Sequence, residues 1–299
     1  MLRALVGPTA SGKTEAGIAL ATALGADVVS VDSMLVYRGM DVGTAKPTAE
    51  QRAVVPHHLL DLADPSERFT VARFQTEAGA VLGRVASPLL VGGSGLYFRA
   101  VVDELRFPPE DPAVRAALEA EADELGADEL YRRLAASDPV AADRIEPGNV
   151  RRTIRALEVT AITGAPFSEF AAAWEVYDPA RVRVAGIRMD TTTLDTRVRG
   201  RVASMLEAGW VREVEGLVER GFGAWLTASQ AIGYAELAAH LDGRLALDEA
   251  MTQTVKRTKE LARRQQAWFR RDPRIEWFDA GERGAVEVVP DVRAYLEAA

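Results

Sequence analysis

The chain contains no cysteine, which excludes disulfides, zinc–thiolate sites and a cysteine nucleophile. No apolar run approaches the ~20 residues that a membrane-spanning helix needs. No internal repeat and no low-complexity segment is present, which leaves out solenoid and fibrous architectures. Histidine is scarce: His57, His58 and His240 are the whole supply, too few for a site built on imidazoles. The first apolar run already begins at Leu2, so no secretory leader is expected and the expected location is the cytoplasm. A basic excess is also lacking, since the net charge is −8. What remains, 299 residues with 48% hydrophobic and 27% charged, is the composition of a soluble globular chain with one large domain or two moderate ones.

The first fourteen residues carry the strongest chemical signal. Leu2 to Val6 is a short strand-like run leading into Gly7-Pro8-Thr9-Ala10-Ser11-Gly12-Lys13-Thr14. This is the spacing G-x-x-x-x-G-K-[ST] of a phosphate-binding loop. Its glycines permit backbone angles closed to other residues, so successive N–H groups can turn toward one anion. A helix expected from Glu15 to Leu24 adds the partial positive charge of its N-terminus. Lys13 supplies a full charge and Thr14 a hydroxyl for Mg²⁺. The expected ligand carries a di- or triphosphate, and ATP fits the loop as well as any other.

Ala26 to Val31 reads as a second buried strand ending at Asp32. In open α/β sheets ligands sit beyond the carboxyl ends of the strands, which places Asp32 near the loop. An Asp-Ser pair is equally good capping chemistry, so the residue alone reads either way. The stretch from 32 to 47 mixes glycines with polar groups and reads as a functional loop. Thr70 to Val85 is patterned as a helix with Val71, Phe74, Ala78, Val81 and Leu82 on one face. Pro88 to Val91 is a strand that runs into Gly92-Gly93-Ser94-Gly95, where a P-loop ATPase usually carries an aspartate for Mg²⁺. That ending favours group transfer over a motor or switch. From about Leu105 the texture turns helical: Asp111-Pro112 and Asp138-Pro139 each look like an N-cap followed by a first-turn proline. Residues 107–180 are accordingly expected to be an all-helical insertion, and 1–106 with 181–299 a P-loop NTPase-like α/β core with a parallel sheet flanked by helices. Within the core, Val182 to Met189 reads as a strand, Leu194 to Arg220 as one long helix, Leu247 to Arg271 as another, Ile275 to Phe278 as a strand and Asp291 to Glu297 as a last helix.

Charge is unevenly spread. Between Lys256 and Arg271 seven basic residues stand against Glu260 alone, and two smaller clusters are Arg151, Arg152 and Arg155, and Arg197, Arg199 and Arg201. Each cluster reads either as a solvated helix face or as a surface for a polyanion.

Taken together, GPTASGKT (7–14), VDSMLVYRGMDVGTAKP (31–47), PHHLLD (56–61), VGGSGLYFRA (91–100), DPVAADRIEPGNVRRTIRALEV (138–159) and RRQQAWFR (263–270) resemble the bacterial tRNA dimethylallyltransferases over most of the chain. The resemblance implies transfer of a dimethylallyl group from dimethylallyl diphosphate to the exocyclic amine of the adenosine 3′ of the tRNA anticodon, with Mg²⁺ required. It implies Asp32 as base, Ser94 at the reacting centre, and Arg201 with Arg197 serving the diphosphate beside residues 7–14. It further implies tRNA contacts from Asp32, Ser33, Met34, Leu35, Ser94, Arg115, Arg151, Arg152 and Arg155. Three departures from the family pattern stand out: Ser94 where a threonine is usual, Thr191 where an arginine is common, and Lys259 in place of an arginine.

Such a reaction has three requirements: a stabilised leaving diphosphate, an acceptor for the amine proton, and exclusion of water. Three rival readings use the same sheet: a prenyltransferase acting on free adenylate, a small-molecule kinase, and a non-enzymatic nucleotide-controlled RNA-binding protein. The basic clusters and the helical insertion favour a large polyanion such as a tRNA anticodon stem-loop over free nucleotide. Nothing in the sequence demands more than a monomer.

Overall fold

Strands buried on both faces have to be apolar on both, and the short runs of this chain meet that condition. In the computed structural model, which describes residues 1–103, 105–171, 176–281 and 284–298, six of them form one parallel sheet. They are β1 (Leu2–Val6), β2 (Asp27–Ser30), β3 (His57–His58), β4 (Pro88–Gly92), β5 (Val182–Arg188) and β6 (Ile275–Asp279), in the order β3-β2-β4-β1-β5-β6. Side chains alternate across the sheet. Ala4 and Val6 enter one core with Val29, Leu90 and Val184, while Leu5 enters the other with Val28, Leu89 and Val91.

Helices cover both faces. The core carries α1 (Lys13–Leu24), α2 (Ala49–Val54), α3 (Val71–Leu82) and α4 (Gly95–Val102). The chain divides into two units, Met1–Glu104 with Asp178–Ala299, and Leu105–Tyr177. The second unit holds α5 (Pro112–Leu125), α6 (Ala127–Ser137), α7 (Pro139–Arg144), α8 (Val150–Thr163) and α9 (Phe167–Ala171) around Leu118, Leu130, Leu134 and Leu157. Asp111 and Asp138 cap α5 and α7 through their side chains, with proline in the first turn, as the Asp-Pro pairs predict. The first unit then completes itself with α10 (Thr191–Glu207), α11 (Trp210–Val218), α12 (Tyr234–Leu241), α13 (Leu247–Phe269) and α14 (Val289–Glu297).

The structure corrects the pattern reading in three places. The single helix expected over 194–220 is two, because Gly209 takes φ +95° and ends the run between α10 and α11. The apolar period continues across the break, since Val202, Met205, Trp210, Val214 and Leu217 all enter one core. The His57-His58 pair is the edge strand β3: Val28 pairs with His57 and Val29 with His58. Helix α12 has no counterpart in the pattern reading, although Tyr234 and Leu237 are fully buried.

Candidate active site

The carboxyl ends of β1, β2 and β4 open onto a common space, and the loop after β1 closes one side of it. Gly7 has to be glycine because a Cβ there would lie 2.8 Å from the Ile187 carbonyl oxygen. Gly12 takes φ +86° at the cap of α1, so Lys13 and Thr14 form that helix's first turn. Ala10 also sits in the left-handed region, at φ +63°, a conformation costing a non-glycine residue roughly 1–2 kcal/mol. Arg197 Nε donates to the Ala10 carbonyl at 3.0 Å and holds it there. Gly7, Pro8 and Ser11 are buried behind the loop, whereas Thr9, Ala10, Gly12, Lys13 and Thr14 border open space.

That space is a small inner cavity of about 80 Å³ and a wide outer one of about 830 Å³, which share Lys13, Thr14, Ala45, Pro47 and Arg201. Asp32 borders the inner cavity with Gly92, Gly93, His57 and Leu60, and Arg197 borders the outer one. Arg197 and Arg201 are four residues apart on α10 and therefore share a face. Arg199 points elsewhere, into a groove shared with α13. The sequence cluster of three arginines is thus split by helical geometry.

Asp32 combines both of its possible readings. Its Oδ1 accepts the Met34 N–H at 2.9 Å, forming a local turn, while the carboxylate also faces the inner cavity. Ser94 stands at the N-cap of α4 without using its hydroxyl as a cap, and its N–H donates to the Val31 carbonyl at 3.3 Å. This ties the ends of β2 and β4 together beside Asp32. Ser33, Met34 and Leu35 follow Asp32 in the turn, half-buried.

The cations of the site are strongly affected by their surroundings. Burial, and next the Arg201 guanidinium, draw the Lys13 ammonium down to about 7, against the raising influence of Asp32 and Glu15. Lys13 Nζ donates to the Pro8 carbonyl. Burial lowers Arg201 as well, with Asp32 and Glu15 opposing, but a guanidinium stays charged. A bound polyphosphate anion would supply the missing counter-charge, and Lys13 should then take up a proton on binding. The part of the pyrophosphate affinity that depends on Lys13, measured as the ratio of the unaltered chain to Lys13→Met so that the ligand's own ionisation cancels, should then be largest below about pH 7 and fall above it, by up to ~10-fold per pH unit until the liganded ammonium itself titrates. Calorimetry in two buffers of different ionisation enthalpy measures the uptake directly, and Lys13→Met should abolish it.

Several contacts that shape the site carry no signal in the sequence, because they join residues far apart in the chain. Glu213 on α11 accepts the N–H groups of Asp41 (2.8 Å), Val42 (2.7 Å) and Gly43 (3.1 Å), and the Tyr234 hydroxyl at 2.6 Å. It fixes the loop whose continuation, Thr44 to Pro47, walls the cavities. Gly43 has no room for a side chain, since a Cβ would reach 2.0 Å from Trp210 Nε1. Lys46, only 6% exposed, binds Asp41 and Asp61 at 2.6 Å each from inside the same loop. Gln265 on α13 accepts the Thr9 N–H at 2.7 Å. His57 and His58 serve hydrogen bonds, with Val55 O at 2.9 Å and Asp27 Oδ2 at 2.8 Å.

The basic clusters divide on inspection. Arg257 pairs with Glu236, and Lys259 with Asp195 at 2.7 Å, so these two join helices of the core. Lys256, Arg263, Arg264, Arg270 and Arg271 remain exposed. In the second unit Arg115 and Arg155 grip the fully buried Glu158 at 2.6 and 2.7 Å, whereas Arg151 and Arg152 are exposed on α8. Thr191 is the exposed first residue of α10.

Fold and site define a P-loop-type α/β protein in which two cations and a carboxylate face one cavity beyond the carboxyl ends of a parallel sheet. The IPP transferase family model matches residues 35–272, and that of the isopentenyl transferases matches residues 1–58. The chain belongs to the IPP transferase family, a family of transferases. It is 50% identical over 289 residues to a tRNA dimethylallyltransferase of Kineococcus radiotolerans, covering 93% of this chain and 90% of that one. Among solved structures, the tRNA isopentenylpyrophosphate transferase of Bacillus halodurans is 39% identical, with a TM-score of 0.70 and coverage of 99% and 96%. A eukaryotic dimethylallyltransferase described as acting on tRNA is 25% identical, with a TM-score of 0.82 and coverage of 98% and 77%.

Proposed function

We propose that this chain transfers the dimethylallyl group of dimethylallyl diphosphate to the exocyclic amine of the adenosine 3′ of a tRNA anticodon. The observation that carries the reading is the convergence of Lys13, Thr14, Arg201 and Asp32 on one small cavity. The C1–O bond to the diphosphate breaks as the amine nitrogen bonds to C1. The electron pair leaves with the diphosphate, held by Lys13, Arg201 and the loop amides, with Arg197 at the outer side. The amine proton passes to the free oxygen of Asp32. Ser94, beside Asp32, positions the acceptor. Substrate filling the inner cavity would displace water from around the allylic carbon.

Magnesium suits the donors present. Thr14 borders both cavities, and among the described residues its hydroxyl makes no hydrogen bond. Among those residues no group of three or more histidines and carboxylates forms a metal cage. The phosphate-loop hydroxyl is one of the two protein groups that usually hold Mg²⁺ beside substrate phosphates, and here the ion would neutralise charge on the leaving group. Among the described residues no helix is long and apolar enough to cross a membrane. With the cavities built from one chain and tRNA as acceptor, the proposed working form is a cytoplasmic monomer.

The anticodon stem-loop is assigned to Asp32 through Leu35 and Ser94 in the core, and to the second unit through Arg151 and Arg152, with Arg115 and Arg155 behind them. The double variant Arg151→Ala/Arg152→Ala should weaken tRNA binding and flatten its salt dependence by about one slope unit per lost phosphate contact. Pyrophosphate binding should be unaffected. An unchanged slope would return α8 to an ordinary solvated face. The reaction itself is tested by offering labelled dimethylallyl diphosphate with bulk tRNA or with AMP, and labelled ATP in parallel. Label appearing in tRNA alone is the expected result; label in AMP, or phosphate transfer from ATP, would overturn the reading.

A further inference from the structure

We propose that Glu213 is a positioning residue for the reaction: it aims the Arg201 guanidinium at the leaving diphosphate through the loop that lies between them. The proposal rests on the diphosphate reading of this site and adds a residue that lines neither cavity. Arg201 borders both cavities, yet among the described residues no carboxylate pairs with it. Among those residues the group it donates to is the Thr44 carbonyl, 3.4 Å from Nη2. A single long hydrogen bond leaves the direction of the guanidinium to wherever Thr44 is placed.

Thr44 is placed from α11. Glu213 Oε2 accepts the Asp41 and Val42 N–H groups at 2.8 and 2.7 Å, and Oε1 accepts the Gly43 N–H at 3.1 Å and the Tyr234 hydroxyl at 2.6 Å. Three successive N–H groups turned toward one anion form a backbone nest of the kind that elsewhere holds phosphate. Here the anion belongs to the protein itself. The last of the three donors, on Gly43, stands one residue before the carbonyl that Arg201 uses. Gly43 is also pressed against Trp210, so this peptide has no second place to settle. After it the chain turns sharply: Ala45 takes φ +51°, its N–H donates to the Val42 carbonyl at 3.0 Å, and the Thr44 hydroxyl donates to the Met40 carbonyl at 2.6 Å. A non-glycine residue keeps such a backbone angle only where its surroundings impose it. With both oxygens of Glu213 occupied by donors, an amide nitrogen in place of either sets donor against donor and moves the loop. The Thr44 carbonyl moves with it, and the guanidinium loses its aim.

The test is a pair of double-mutant cycles with two readouts: calorimetric affinity for inorganic pyrophosphate with excess Mg²⁺, and single-turnover transfer from dimethylallyl diphosphate to tRNA. Glu213→Gln is made in the unaltered chain, in Arg201→Met and in Lys13→Met, each with a melting curve. In the unaltered chain it should cost ~10-fold or more in both readouts, the scale of one hydrogen bond to a charged group. In the Arg201→Met background it should cost less than ~2-fold further, because the group it aims is gone. In the Lys13→Met background it should keep its full effect, since Lys13 is seated on the Pro8 carbonyl of the phosphate loop and not on Thr44. A residue that only braces the fold would cost the same in all three backgrounds, and that result overturns the proposal. So does Glu213→Gln with normal affinity and rate. If Glu213→Gln melts below the assay temperature, Tyr234→Phe, which removes one donor from the same carboxylate, passes through the same cycles with a smaller loss and the same pattern expected. Failure of the underlying reading looks different: Arg201→Met by itself would then leave pyrophosphate affinity unchanged.

Discussion

Asp32→Asn should fold normally and lose most of its prenyl-transfer rate in a single-turnover assay, by ~10²–10⁴-fold, the usual contribution of a general base. The substitution separates the two oxygens of this side chain. Asparagine retains a carbonyl oxygen to accept the Met34 N–H, now at 2.9 Å, so the turn after β2 survives. What it cannot do is accept a proton from the adenine amine. Affinity for pyrophosphate should change little, or rise slightly as a negative charge leaves a cavity that also contains Lys13 and Arg201. The melting temperature is the control, because a turn-forming role alone would be served equally well by asparagine. A well-folded variant with near-normal rate would remove Asp32 from the reaction and leave catalysis to leaving-group stabilisation.

The largest expected effect on stability lies at Glu158. Its side chain is 0% exposed, and it accepts hydrogen bonds from Arg115 at 2.6 Å, Arg155 at 2.7 Å and the Asp111 N–H at 2.9 Å. Arg155 also caps the Pro108 and Pro109 carbonyls, at 2.7 and 2.9 Å. One carboxylate thus joins α5, α8 and the segment leading into them. Burial by itself raises the Glu158 carboxyl, but the hydrogen bonds from Arg115, Arg155 and Asp111 outweigh it and hold the group below its ordinary value. Glu158→Ala removes the carboxylate that two guanidiniums share, leaving Arg115, among the described residues, only Glu110 at 3.8 Å, and should cost the 105–177 unit about 3 kcal/mol, the low end for breaking a buried ion pair because both guanidiniums keep some contact with water. The sign of the pH effect follows from the lowered value. The stabilisation is complete above the ordinary carboxylate value and disappears as pH falls through the lowered one. Circular dichroism melts should show an early loss of helix in the variant, and tRNA affinity should fall with it while pyrophosphate binding persists. Unchanged melting would mean that the two arginines hold these helices without the carboxylate.

What this sequence determines by itself is local. The apolar run Leu2–Val6, the spacing of residues 7–14 and the Asp-Pro pairs at 111 and 138 each specify their own backbone, and the structure has β1, α1, α5 and α7 where they say. Parallel-strand topology then places Asp32 on the same sheet edge as the phosphate loop, with β4 between them, since all the strands of a parallel sheet end on one side. The family, too, was legible, because it rests on runs of adjacent residues. Tertiary structure decided what depends on partners distant in sequence. Glu213 holds Asp41 to Gly43 from 170 or more positions away, and Gln265 holds Thr9 from 256. No periodicity records such a pairing. Gly209 interrupts a helix without interrupting its apolar period, because both halves pack on the same core, so the pattern reads as one helix. The arginines show the same limit. Their clustering is visible in the sequence, but which are engaged is settled by the carboxylates that folding brings to them, as Glu158 is brought to Arg115 and Arg155. Arg151 and Arg152 stay exposed because, on α8, Arg151 lies two turns before that carboxylate, about 10 Å along the axis, and Arg152 faces about 120° away from it.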